Sequence, residues 1–302
     1  MAHLITGGAH DMALNDGLAA LTGAHVATRS TGLIQLVDQA GRIQFITGSF
    51  SYTPDGTLTD GSIATIEVGA AYTITGLEVG VAEYAGALAA GNAFGVRTAL
   101  FAGDDLLEGS TASDRLLGFD GDDQVLGGFG DDDLNGNGGD DTVDGGYGAD
   151  TVHGGQDDDR VLGGAGDDVA TGSRGRDTVE GGTGDDLVYG GQGDDVVRGG
   201  DGHDGIWGDI GVDALYGDLG ADTFYFASGS GGDAIQDFDP AEGDRIAVAR
   251  HVNGTDIDEP RDLLTRTRLH PDGQLVDLGQ GHAVLIRNLP GGEVSADLFL
   301  IV

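Results

Sequence analysis

Gly127-Gly128-Phe129-Gly130-Asp131-Asp132-Asp133-Leu134-Asn135 is one of 14 consecutive nonapeptides running from Leu100 to Tyr225 without an inserted or deleted residue. The sixth position is aspartate in every unit: Asp105, Asp114, Asp123, Asp132, Asp141, Asp150, Asp159, Asp168, Asp177, Asp186, Asp195, Asp204, Asp213 and Asp222. The eighth is apolar throughout, from Leu107 and Leu116 through Val143, Val152 and Val161 to Ile206, Leu215 and Phe224, with Ala170 the smallest. Glycine fills the first position 13 times and the fourth 12 times. A Gly/Asp-rich disordered linker keeps no such phase.

The period dictates geometry. Nine residues suit six of turn and three of strand, and the single apolar strand residue must point inward because strand side chains alternate faces. The glycines supply the positive φ and close backbone approach of tight turns. Two units make one coil, so the run predicts seven coils stacked about 4.8 Å apart, a rod roughly 30 Å long. One small inward side chain per unit cannot offset the backbone entropy of ordering, roughly 1–2 kcal/mol per residue. Something besides apolar burial must hold the turns.

An aspartate plus turn carbonyls is a set of hard oxygen donors, suited to a hard divalent cation that accepts six or more oxygens. Turns of one side recur every second unit, so an ion fits between Asp123 and Asp141, or between Asp132 and Asp150. Gly163-Gly164-Ala165-Gly166-Asp167-Asp168-Val169-Ala170-Thr171 and Gly181-Gly182-Thr183-Gly184-Asp185-Asp186-Leu187-Val188-Tyr189 carry the pattern G-G-x-G-x-D-x-U-x, save the small Ala170. That pattern resembles the calcium-binding repeats of the RTX (repeats-in-toxin, hemolysin-type) family. The resemblance implies a parallel β-roll with Ca²⁺ shared between turns. Its ligands would be the sixth-position aspartates and turn carbonyls at Gly121, Gly130, Gly139, Gly148, Gly166, Gly184, Gly193 and Gly202. Departures put some sites in doubt: Ala112 and Asp157 replace the fourth glycine, Ser173 replaces the second, and Arg174 and Arg176 bring positive charge. Seven turns per side allow at most 12 sites between turns, of which roughly 7–10 are expected to fill.

Charge agrees. The chain has 52 acidic residues against 14 basic ones, a formal net charge of −38. Within residues 100–225 there are 31 acidic residues and five arginines, a local charge of −26 that should repel the rod open without cations. Such acidity excludes a nucleic-acid partner, which needs a basic footprint. No stretch approaches 18 apolar residues, so no membrane span is expected. The first residues, Met1-Ala2-His3-Leu4-Ile5, lack the basic and apolar regions of a cleaved secretory signal. The RTX resemblance implies secretion by the bacterial type I machinery, read from an uncleaved C-terminal signal such as Asp297–Val302, which reads equally as a last core strand. Weak calcium sites that fill at extracellular, millimolar levels would postpone folding until export.

The reading is all-β: a parallel β-roll solenoid of 14 repeats (100–236) between an N-terminal β-rich domain (1–99) and a C-terminal β-rich cap (237–302). Residues 32–79 read as strands of a small antiparallel sandwich, with a hairpin from Leu33–Val37 to Arg42–Ile46. Residues 81–100 read as a helix capping the first coil. His3, His10 and His25 are scattered and suggest no metal cluster. Ser228–Gln236 is a fifteenth, degenerate unit after a two-residue insertion. It leads into Asp237-Phe238-Asp239-Pro240 and Gly243-Asp244-Arg245-Ile246, a segment similar to the C-terminal flank of RTX modules in serralysin-type proteins. A short helix near 260–265 and a hairpin across 279–281 complete the cap.

No catalytic constellation emerges. H-E-x-x-H is absent, as is G-x-S-x-G, and the paired carboxylates are repeat positions five and six. The expectation is therefore a secreted, non-catalytic calcium-binding protein acting in surface or matrix adhesion. The alternatives are an exoenzyme with an unrecognised N-terminal site and a carbohydrate-binding accessory module similar to the repeat modules of alginate epimerases. The last rests on Tyr189, Trp207 and Tyr225, ninth-position residues of even-numbered units that should stack as an outward ladder. Arg160, Arg174, Arg176 and Arg198 fall on odd-numbered units, placing them on the opposite sheet and turn, where arginine would suit acidic polysaccharide. The cap is expected to fold back over the ladder, because exposed aromatic strips are uncommon without a partner.

Overall fold

The protein is described from a computed structural model, which covers the strands between Leu4 and Gly80 by their backbone, and residues 103–109, 111, 113–287, 289 and 294–302. Two nine-stranded stacks of parallel strands form a β-roll. One runs through Leu106–Glu108, Gln124–Phe129, Thr142–Tyr147, Arg160–Ala165, Thr178–Thr183, Val196–Gly202, Ala214–Gly220, Gly232–Ile235 and His282–Arg287. The other runs through Arg115–Asp120, Asp133–Gly138, Thr151–Gln156, Val169–Arg174, Leu187–Gln192, Gly205–Ile210, Thr223–Phe226, Arg245–Val248 and Phe299–Ile301. Within the repeats each residue pairs with the one two units on, as Val125 with Val143 and Leu134 with Val152.

All 14 eighth-position side chains are buried between the two sheets. The column continues past the repeats through Ile235 and Ile286 on one sheet and Ile246 and Phe299 on the other. The cap thus adds coils to the roll rather than folding back along it. Its tail Asp297–Val302 supplies a core strand, with Leu298 and Phe299 buried.

The strands are longer than the expected three residues. Most hold six, because positions one to three of each unit continue the strand of the unit before. The first-position glycine is buried and its neighbours stay in register, so glycines of low strand propensity pair because adjacent coils hold them. A unit therefore straddles both sheets. This corrects one expectation: Arg174 ends Val169–Arg174, on the same sheet as the aromatic ladder, whereas Arg160 and Arg198 lie on the opposite sheet.

The expected N-terminal strands are present. His25–Ser30, Leu33–Val37, Ile43–Tyr52, Leu58–Val68 and Tyr72–Gly80 pair in sequence order as one antiparallel meander. Tyr72–Gly80 then pairs antiparallel with Leu106–Glu108, so this meander extends one sheet of the roll. The side chains that would define a sandwich, those of the three N-terminal histidines and the helix expected at 81–100 lie outside what is described. In the cap, the helix Pro260–Arg266 is capped by Glu259 and Asp262, and Gly273–Gly279 and His282–Arg287 form the expected hairpin.

Candidate metal files

Most turns bend through two left-handed residues, at positions two and four. The eight glycines expected to ligate, from Gly121 to Gly202, all have φ between 113° and 156°. At Gly193 an added Cβ would overlap the carbonyl oxygen of Gly175, one coil below. Asp157 and Ser173 adopt the same left-handed backbone as the glycines they replace, at φ 73° and 86°, so these departures leave the turn intact.

The turns stack the sixth-position aspartates in two files, and all but Asp114 are buried. From Asp123 onward, Oδ1 of each is satisfied by the coil below: the Asp168 amide donates to Asp186 Oδ1 at 2.8 Å, and the Asp177 amide to Asp195 Oδ1 at 2.8 Å. Oδ2 is not. In the 13 buried members of the set it is sealed from solvent without a hydrogen-bond partner. Buried polar atoms are nearly always partnered, so such a file marks a missing electropositive group.

Burial and neighbouring carboxylates push these acids well above their usual range. Asp186 rises to about 7, chiefly by desolvation and then by Asp204 and Asp168, against the lowering hydrogen bond from Asp168. Asp159 rises to about 8 for the same leading reason, and Asp123 to about 6.

The donors fit a hard cation. A Cβ added to Gly190 would lie 2.7 Å from both Asp195 Oδ2 and the Gly208 carbonyl oxygen of the next coil. At Gly181 the corresponding distances are 2.5 Å to Asp186 Oδ2 and 2.6 Å to the Gly199 oxygen. First-position glycine thus lets a carboxylate oxygen and a carbonyl oxygen of the next coil crowd toward one another, and both are hard donors of the kind Ca²⁺ takes. Among the described residues no three His, Cys, Asp or Glu side chains converge, so the other donors of such a site would be main-chain oxygens.

The structure adds ligand candidates that sequence reasoning missed. Asp233 continues one file: the Asp213 amide donates to its Oδ1 at 3.2 Å, and its Oδ2 is buried and unpartnered. It is the sixth residue of the degenerate unit, so the signal was present. Asp244 continues the other file but differs. Its Oδ1 accepts from the Asp222 amide at 3.1 Å and its Oδ2 from the Asp239 amide at 2.7 Å, leaving neither oxygen open. A spacing of 22 residues from Asp222, rather than 18, hid it.

A second file also went unread. Position-five side chains bond the other way: the Asp140 amide donates to Asp122 Oδ1 and the Asp185 amide to Asp167 Oδ1, each reaching the coil above. His203 serves there through Nδ1, accepting from the Ala221 amide at 3.0 Å.

Tyr189, Trp207 and Tyr225 do form a ladder. Ring centroids are 4.5 Å apart between Tyr189 and Trp207 and 4.1 Å between Trp207 and Tyr225, with planes within 16° and 6°. All three are half-buried, since the cap stacks beyond them at Ala247 instead of covering them. Both faces of Trp207 are occupied by its neighbours. The six-membered ring leans over Gly205, whose added Cβ would come within 2.9 Å of it.

Fold and files together define a parallel β-roll built to take hard cations between its coils. Comparison with known proteins agrees: four copies of the RTX calcium-binding nonapeptide repeat match residues 101–134, 135–170, 171–206 and 189–224. Residues 101–224 thus match RTX calcium-binding nonapeptide repeats, and such repeats bind Ca²⁺. No curated protein matches it. Among solved structures, the extracellular lipase LipA from Serratia marcescens is similar at 15% identity and a TM-score of 0.28, over 61% of this chain and 40% of that one. This chain spans less than half the length of that lipase. Among the described residues no helix is long and apolar enough to cross a membrane.

Proposed function

We propose that the chain is a secreted module that folds on calcium outside the cell and works by binding, at a cell surface or in an extracellular matrix, without catalysing a reaction. The observation that carries this reading is the file of buried, unpartnered Oδ2 atoms from Asp105 to Asp233. Every second unit brings another such oxygen to the same side, and Ca²⁺ at each would both satisfy it and cancel its charge. The ligands are proposed to be the sixth-position aspartates with main-chain oxygens of the glycine turns, and Asp233 in addition. Asp244, with both oxygens bonded, is proposed to take none.

Calcium titration of metal-free protein, followed by circular dichroism, tests the reading. The expected result is a cooperative gain of strand signal at millimolar calcium, reversed by chelation. A strand signal indifferent to both would refute it. The non-catalytic part is tested by assaying the calcium-loaded chain for esterase, protease and glycosidase turnover, where turnover above blank refutes it. The ladder is a brace first. A flat sugar-stacking platform needs ring faces turned outward, and those of Trp207 are taken.

A further inference from the structure

The turn that opens the degenerate unit is looser than those before it. Phe226 and Ala227, the two inserted residues, precede Ser228 and change how its turn meets the coil below. A Cβ added to Gly191, second in its unit, would lie 2.3 Å from the Ser173 carbonyl oxygen. One added to Gly229, second in the degenerate unit, would meet nothing within 4 Å. The space so opened is a cavity of about 40 Å³ lined by Asp209, Tyr225, Ala227 and Ser230 among others. A water needs about 10–15 Å³ of such space, so an ion with one or two waters fits. Neither Asp213 nor Asp233 lines the cavity, which sets it apart from the aspartate files.

Two of its residues carry oxygen that nothing serves. Ser230 is 5% exposed, and its Oγ is buried without a hydrogen-bond partner. Asp209 is half-buried on the coil below, and desolvation pushes its carboxyl above the usual range. Asp209 pairs with Gly191 and shares its left-handed backbone, at φ 64° against 112°. Aspartate is strained in that region where glycine is not, so turn formation gives no reason for a carboxylate there. The Ala227 carbonyl, which accepts the Ser230 amide at a long 3.4 Å, adds a third oxygen to the cavity wall. A water would satisfy Ser230 and leave the Asp209 charge unmet, whereas a cation serves both.

We propose that this cavity binds a calcium ion of its own, outside the repeat pattern, through the Asp209 carboxylate, Ser230 Oγ and main-chain oxygen of the turn. Carboxylate, hydroxyl and carbonyl make an irregular set of hard oxygens, which suits Ca²⁺ better than Mg²⁺ with its strict octahedron. One carboxylate makes a weak site, of the class with dissociation constants of about 10⁻⁴–10⁻³ M that extracellular modules use. Its place gives it a task. The Gly229 amide donates to Asn253 Oδ1 at 2.9 Å, and the Asn253 amide to Ser228 Oγ at 2.8 Å. The ion therefore sits on the turn by which the roll is tied to its cap.

The test is diffraction from crystals of the full chain grown in calcium, at a long X-ray wavelength where calcium scatters anomalously. An anomalous peak between Asp209 and Ser230 is expected, besides those along the files. Peaks along the files with none at Asp209, or with a water only, overturn this proposal and leave the reading of the files standing. Equilibrium dialysis gives a second measure. D209G restores the residue that suits left-handed backbone, so its strand signal at saturating calcium should match the parent. It should nonetheless bind about one ion fewer. A folded D209G that binds as many ions as the parent overturns the proposal.

Discussion

Acid should partly replace calcium. In the metal-free roll, ionised Asp186 sits with Oδ2 buried and unpartnered, and its acidity constant moves from 3.8 to about 7. At about 1.4 kcal/mol per pH unit, holding it ionised in the closed roll costs about 4 kcal/mol above that pH. Asp141, Asp195 and Asp222 sit at about 7 for the same leading cause, desolvation. Three or four such groups match the whole stability of a typical domain, about 5–15 kcal/mol. The sign follows. Because the folded values lie above the unfolded ones, the folded state binds more protons between about pH 4 and 8, and metal-free stability falls as pH rises through that window. Calcium-stripped protein followed by circular dichroism should therefore gain strand signal between pH 8 and pH 5 without any metal. D186N should shift that gain toward neutral pH by removing one buried charge while leaving an oxygen for the Asp168 amide. A stripped chain equally unfolded at pH 5 and pH 8, or fully folded at pH 8, would refute the reasoning.

Other perturbations read the same geometry. Gly190→Ala puts a methyl where Asp195 Oδ2 and the Gly208 oxygen converge, without a φ penalty, and equilibrium dialysis should count about one calcium ion fewer; an unchanged count would move the site elsewhere. Trp207→Ala removes two ring stacks, which should cost about 1–3 kcal/mol and raise the calcium needed for folding, and an unmoved calcium midpoint would leave the ladder no bracing role. Asp233→Asn should lower calcium stoichiometry, whereas Asp244→Asn should destabilise the cap with stoichiometry unchanged. The reverse outcome would exchange their roles.

Much of the fold was legible because the repeat imposes one environment on each position. An aspartate retained at position six and an apolar residue retained at position eight can only be a buried polar file beside a buried apolar column, and Asp168 and Ala170 sit in those places. Strand length was not legible. Positions one to three are glycine-rich, and propensity gives no hint that Gly127 to Phe129 extend a strand; the neighbouring coils decide it. That error alone misplaced Arg174. Ladder membership followed from spacing, but ring orientation did not, because it depends on Gly205 vacating space for Trp207.

The two aspartate files explain why so many units carry Asp-Asp rather than one acid. Position five reaches up, position six reaches down, and each caps a main-chain amide of the adjoining coil. The position-five carboxylates lie at the solvent edge, where water can serve the second oxygen at little cost. At position six the second oxygen faces inward, where only a proton or a cation can serve it. The same backbone bond is thus made twice per turn, once unconditionally and once only when the charge is met. Asp244 shows what ends the dependence: give the inward oxygen an amide, that of Asp239, and the file closes without an ion. On this logic the calcium requirement belongs to the second oxygen of one aspartate per unit, and on the Asp244 side it stops where the chain supplies a donor of its own.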